Sequence, residues 1–120
     1  MKKIIVVDDS SVLRTTLQNA LNSAGFKVIG AAQGSAELFK IFENGLIPDL
    51  LLLDIFFPDE FGVDILKKIK AEYPQIKVLV ITAVNRADLN KEILLNGAED
   101  ILHKPFDMDD LLCAIQKIAL

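Results

Sequence analysis

The chain reads as an α/β protein, a doubly wound five-stranded parallel sheet with five helices packed on its two faces. Two observations predict this. Five short apolar runs alternate with five segments whose apolar residues recur at helical spacing, and such regular alternation marks βα units joined by right-handed crossovers. Runs such as Ile4-Ile5-Val6-Val7 and Leu50 to Leu53 also carry no polar residue on either side of the pleat, as expected of strands buried on both faces.

The first strand is predicted over Lys3 to Val7, and Asp9-Ser10-Ser11 offers an N-cap to a helix with Leu13, Leu17, Ala20, Leu21 and Ala24 on one face, stopped by Gly25. A second strand, Lys27 to Ala32, leads through Gly34-Ser35 into a helix with Leu38, Ile41 and Phe42 inward, ending at Asn44-Gly45. Pro48 precedes the third strand, Asp49 to Asp54. A loop through Pro58 to Gly62 then opens a helix with Ile65, Leu66 and Ile69 inward, ended by Tyr73-Pro74. Lys77 to Thr82 is the fourth strand, followed by a helix from about Ala87 to Asn96 that stops at Gly97. Its Leu89, Ile93, Leu94 and Leu95 are more than one buried face requires. Either Leu94 or Leu95 is exposed on a partner-binding surface, or the helix is buried more widely. Asp100 to His103 is a short fifth strand, and Lys104-Pro105-Phe106-Asp107 leads into a last helix with Met108, Leu111, Leu112, Ile115 and Ile118, leaving Cys113 opposite that stripe.

The 120 residues suffice for one domain, 1–120, with a core of its own. No apolar run approaches the roughly 20 residues of a membrane span. Met1-Lys2-Lys3 is followed by too few apolar residues for a secretory signal. One cysteine excludes an internal disulfide or a cysteine-rich metal site, so a reducing, cytoplasmic setting is expected. The net charge is -4, and apart from Lys67, Lys68 and Lys70 the basic residues are scattered. No phosphate-tracking surface is evident, so direct nucleic-acid binding is not expected.

Polar residues stand where the apolar runs end: Asp8 and Asp9 after the first, Asp54 after the third, Thr82 after the fourth and Lys104 after the fifth. Open parallel sheets bind ligands outside the carboxyl ends of their strands, so these side chains are expected to share a crevice. An aspartate at a strand end also serves turns, but carboxylates so close repel one another by roughly 4 kcal/mol per pair at about 4 Å and an effective dielectric of about 20. A cation must sit among them, and a hard divalent ion held by oxygen, Mg2+ above all, is the candidate. A carboxylate beside Mg2+ and a lysine can attack phosphorus and form an acyl phosphate.

Asp8-Asp9-Ser10, Asp54 with Pro58 and Gly62 behind it, Thr82-Ala83, Gly97-Ala98 and Lys104-Pro105-Phe106 together resemble the receiver domain of bacterial two-component response regulators, over the whole chain. The resemblance implies a flavodoxin-like sheet of order 2-1-3-4-5 and Asp54 as phosphoacceptor. It implies Mg2+ on Asp8, Asp9, Asp54 and the backbone carbonyl of Phe56, Thr82 and Lys104 on the phosphoryl oxygens, and a cis Lys104-Pro105 bond. Such a protein is no enzyme toward a separate substrate; it catalyses its own phosphorylation and dephosphorylation. Its partners are a sensor histidine kinase or histidine phosphotransfer protein and a downstream protein target.

The chain departs from that pattern at three positions. Ile101 stands where the family places a switching aromatic, so the readout is expected through the loop Ala83 to Ala87 and the helix after it. Phe56 and Val84 stand two residues beyond Asp54 and Thr82, where polar groups often flank the path of attacking water; slow self-dephosphorylation is expected. His103, the single histidine, is expected to pack at a strand end.

Other readings are weaker. A phosphatase with an aspartate nucleophile wants a second acid where Phe56 stands, and a flavodoxin-type carrier wants a Ser/Thr/Gly phosphate loop where Asp8-Asp9 would repel the anion. A pseudo-receiver, binding proteins without taking up phosphate, does not need the intact site. The chain is a stand-alone regulator, a relay intermediate or a fragment of a longer DNA-binding regulator; the end at Leu120 without a linker favours the first.

Overall fold

The computed structural model describes residues 2–118; the expected domain limits, Met1 and Leu120, lie outside them. The elements are β1 (Lys3–Val7), α1 (Ser11–Ser23), β2 (Lys27–Ala32), α2 (Ser35–Glu43), β3 (Leu50–Asp54), α3 (Gly62–Glu72), β4 (Lys77–Thr82), α4 (Ala87–Leu95), β5 (Asp100–His103) and α5 (Met108–Lys117). All strands are parallel, in one sheet of order β2-β1-β3-β4-β5, and the Lys104–Pro105 bond is cis. Among the described residues no helix is long and apolar enough to cross a membrane.

The uninterrupted apolar runs are explained by a separate core on each face. Ile5, Val7, Leu51, Leu53, Val78 and Val80 pack under α2, α3 and α4. Their alternating neighbours Ile4, Val6, Leu50, Leu52, Leu79 and Ile81 pack under α1 and α5. Each fully buried side chain of this kind contributes about 1.5–3 kcal/mol. β2 and β5 do not share the expected double burial. They are the sheet's edges, paired on one side only, and most of their residues are half-buried.

Two helices, α1 and α5, also differ from expectation. Ala24 is the exposed C-cap of α1. On α5 the buried place falls to Ala114, with Leu112 half-buried, because the stripe that faces the sheet runs through Leu111, Ala114, Ile115 and Ile118. On α4, which ends at Leu95, both Leu94 and Leu95 are exposed, at 48% and 75%, so of the two readings of this helix it is the exposed one that holds and not the wider burial.

Local signals fix the helix starts that the site depends on. Ser10 Oγ accepts from Leu13 N at 3.2 Å to cap α1. Asp107 and Asp110 form a reciprocal capping box on α5, with Asp107 Oδ1 accepting from Asp110 N at 2.8 Å. Asp107→Ala is expected to cost about 1 kcal/mol, read as a lower urea midpoint at unchanged m-value. At the amino edge of the sheet, Lys70 Nζ donates to Ile76 O at 2.8 Å and Glu99 Oε1 at 3.0 Å, and Glu99 Oε2 accepts from Val78 N. This tie joins the end of α3 to the beginnings of β4 and β5.

Candidate functional site

The carboxyl edge of the sheet gathers the polar strand ends. Asp8 follows β1, Asp54 closes β3, Thr82 closes β4 and Lys104 follows β5. The register pairs Asp54 with Ile81 and Thr82 with His103, and Lys104 N donates to Thr82 O at 2.8 Å.

Asp8, Asp9 and Asp54 each offer a carboxylate oxygen, all within 4.8 Å of one another. Asp8 and Asp54 are buried, at 3% and 7% exposure, while Asp9 is exposed. Lys104 Nζ reaches Asp8 Oδ2 at 3.1 Å and Asp54 Oδ2 at 3.4 Å. The remaining oxygens are held by backbone: Ser10 N donates to Asp8 Oδ1 at 2.9 Å, and Ile55 N to Asp54 Oδ1 at 2.7 Å.

One ammonium against three carboxylates leaves the cluster two negative charges in excess. Burial, and after it the charge of Asp8, push the Asp54 carboxyl above its usual value; Lys104 and the N–H groups of Ile55 and Phe56 pull it back only in part. Burial alone would lower Lys104, but the hydrogen bond to Asp8 and the charges of Asp54 and Asp8 hold it above its usual value. It therefore stays an ammonium at neutral pH. A held set of hard oxygens with that charge deficit fits a divalent cation such as Mg2+.

The other predicted residues take varied places. Thr82 is fully buried, and its Oγ1 accepts from Val84 N at 3.2 Å. Phe56 is 47% exposed, with its ring on Phe61 at 5.7 Å between centroids, and Val84 and Ile101 pack at the margin of the α2–α4 core. His103 is half-buried, Nε2 lying 3.4 Å from Asn90 Oδ1, and Asn90 Nδ2 donates to Asn85 Oδ1 at 2.9 Å. Cys113 is exposed.

One site residue was missed in the sequence. Arg14 Nη1 donates to Asp8 O at 2.6 Å and so orients the peptide between the two acids of the β1–α1 loop. Its signal was present: Arg14 lies three residues before Leu17 and seven before Leu21 on one helical face, an odd place for a charge without a partner.

Comparison with known proteins agrees with the geometry. Residues 4–116 match the family model of the response regulator receiver domain. The chain is 32% identical to the chemotaxis protein CheY of Listeria monocytogenes, over 99% of both chains. It is 34% identical to the sporulation initiation phosphotransferase F of Bacillus subtilis, over 97% of this chain and 92% of that one. Among solved structures, the CheX-CheY-BeF3-Mg+2 complex from Borrelia burgdorferi contains a similar chain, with a TM-score of 0.90 at 27% identity, covering 97% of this chain and 87% of that one. With its strand order, its acidic cluster and these matches in accord, the chain belongs to the response regulator receiver domain family.

Proposed function

We propose that Asp54 accepts a phosphoryl group from a phosphohistidine on a sensor histidine kinase or phosphotransfer protein, and that phosphorylation remodels a surface read by a downstream protein. The observation that carries this reading is the meeting of three carboxylates within 4.8 Å with Lys104 3.4 Å from Asp54. Mg2+, held by Asp8, Asp9, Asp54 and the carbonyl of Phe56, would neutralise charge on the carboxylates and the incoming phosphoryl oxygens. An Asp54 carboxylate oxygen attacks phosphorus, a P–O bond forms as the P–N bond breaks, and the released imidazole nitrogen takes its proton from solvent. Lys104, held by Asp8 at 3.1 Å and more loosely by Asp54 at 3.4 Å, would turn its ammonium from Asp54 to a phosphoryl oxygen. The domain is proposed to span the chain and to work in the cytoplasm.

Thr82 supplies the switch. Its oxygen accepts from Val84 N and its O–H remains to donate to the phosphoryl group, so moving the hydroxyl draws the loop after β4 with it. With Ile101 in the usual aromatic position, the readout passes through residues 83–103, including the exposed Leu94 and Leu95 of α4. Phosphorylation should shift amide NMR signals across 83–103; shifts confined to the loops around Asp54 would rule this route out.

The test is intact mass after incubation with Mg2+ and a small phosphoramidate. One phosphoryl group, absent with a chelator and removed by hydroxylamine, is expected; no gain would leave a protein-binding module that takes up no phosphate. Phe56 and Val84 cannot orient water, so the phosphoryl group should be long-lived, and Phe56→Asn with Val84→Glu should shorten its half-life about tenfold. Likeness to the Bacillus phosphotransferase favours a relay role as a second reading, checked by onward transfer from Asp54 to a histidine phosphotransfer protein.

A further inference from the structure

Helix α2 starts without a cap of its own. Its N-cap is Gly34, which has no side chain to accept a hydrogen bond, although buried or half-buried helix starts need acceptors for their free N–H groups. Glu37 Oε1 accepts from Gln33 N at 2.9 Å. The acceptor for Ser35 N comes from a distant part of the chain, Glu60 Oε2 at 3.0 Å. Glu60 belongs to the loop directly after Asp54. That loop is closed on itself: Phe57 N donates to Glu60 O, Phe56 bridges to Phe61, and Gly62 N donates to Ile55 O.

The residue opposite is fitted to this contact. A Cβ on Gly34 would lie 2.8 Å from Glu60 Oε2. The φ of Gly34, -179°, is extended backbone open to any residue, so what a side chain there would meet is the Glu60 carboxylate, which would have to give up its place on Ser35 N. The contact borders an open cleft of about 480 Å³ whose lining includes both Glu60 and Asp9, so the latch and an acid of the site share one space.

We propose that Glu60 is a positioning residue: a helix cap supplied from the phosphoacceptor loop that holds this loop against α2 and so pre-orders the site for its divalent cation. The proposal rests on the Mg2+ reading of Asp54, Asp8 and Asp9. The loop carries the Phe56 carbonyl, and a loop already held at Glu60 has less freedom to lose when the cation binds. Outer groups that orient metal ligands are worth about 10–100-fold in affinity, and one contact at the far side of a loop belongs near the lower figure.

The experiment is calorimetric titration with Mg2+ beside thermal melting, for the natural chain, Glu60→Ala, Glu60→Gln, Gly34→Ala and the double variant Gly34→Ala/Glu60→Ala. Glu60→Ala should bind Mg2+ about tenfold more weakly. Glu60→Gln, whose amide oxygen can still accept from Ser35 N, should keep most of the affinity. Gly34→Ala should resemble Glu60→Ala, because its Cβ displaces the carboxylate, and the double variant should be no worse than Glu60→Ala alone. Lower melting temperatures with unchanged Mg2+ affinity would reduce Glu60 to a structural cap and overturn the proposal, as would additive effects in the double variant. If the natural chain itself binds no Mg2+, the reading of the acidic site falls, and the latch's role in that site falls with it.

Discussion

Asp54→Ala is expected to abolish phosphoryl uptake and, without Mg2+, to make the protein more stable. Loss of uptake follows because the carboxylate oxygen that would bond to phosphorus is gone. The gain in stability follows from the charge count. Asp54 is buried in a cluster where three carboxylates face one ammonium. Removing it ends the repulsion with Asp8 and Asp9 at the cost of the contacts from Ile55 N and Lys104, a net gain of about 1–2 kcal/mol. The pH dependence carries a definite sign. Asp54 has its folded-state pKa raised above 3.8 by burial and by Asp8. The folded state therefore holds the proton more tightly than the unfolded state, and that contribution is fully present below about pH 3.8 and lost as pH rises through the folded value. The advantage of the alanine variant should accordingly be small in acid and grow toward neutrality. Saturating Mg2+ should stabilise the natural chain and not the variant, narrowing or reversing the difference. Melting curves at acid and neutral pH, with and without Mg2+, decide it, and a variant less stable than the natural chain in neutral metal-free buffer contradicts the charge argument.

Gly62→Ala should cost about 3 kcal/mol. Gly62 opens α3, where helix propensity alone would favour alanine. The structure gives the opposite sign, because an added Cβ would lie 2.5 Å from Asp54 O and Ile55 Cα and 2.8 Å from Ile55 O. These are backbone atoms of the strand end that carries Asp54, the proposed phosphoacceptor, and they cannot withdraw without moving it. Phosphoryl uptake by the folded fraction should therefore also fall, by about tenfold or more, since misplacement of the reacting group by fractions of an ångström is costly. Urea unfolding gives the first quantity and the initial rate of mass gain the second. A stabilised variant would show that the close approach of α3 to the Asp54 peptide is not real.

What could be read from the sequence depended on the range of the forces involved. β1, β3 and β4 declared themselves because both their faces are buried, and Leu50 to Leu53, at 0–1% exposure, can stand nowhere but in a sheet's centre. β2 and β5 were legible as strands but not as edges, since being an edge is decided by neighbours far along the chain. The convergence of Asp8, Asp9, Asp54 and Lys104 was legible because parallel strands all present their carboxyl ends on one side. Arg14 was overlooked although it broke an apolar helical face, and Glu60 could not be found at all. Nothing local marks a carboxylate whose partner is a backbone N–H twenty-five residues away. Its trace lies at the other end of the contact, in a helix that begins on glycine. Leu112 and Ala114 exchanged their expected places for a simpler reason: hydrophobicity ranks side chains by size, while the facing side of α5 is set by angle.

The Lys70–Glu99 tie lies at the amino edge of the sheet, the full length of the strands away from Asp54. Phe56 and Val84, the groups proposed to set phosphoryl lifetime, and the tie that joins α3 to β4 and β5 thus stand at opposite ends of the same strands. Substitutions that alter lifetime at the carboxyl end are therefore expected to leave the join at the amino end untouched, and changes to that join to leave lifetime untouched.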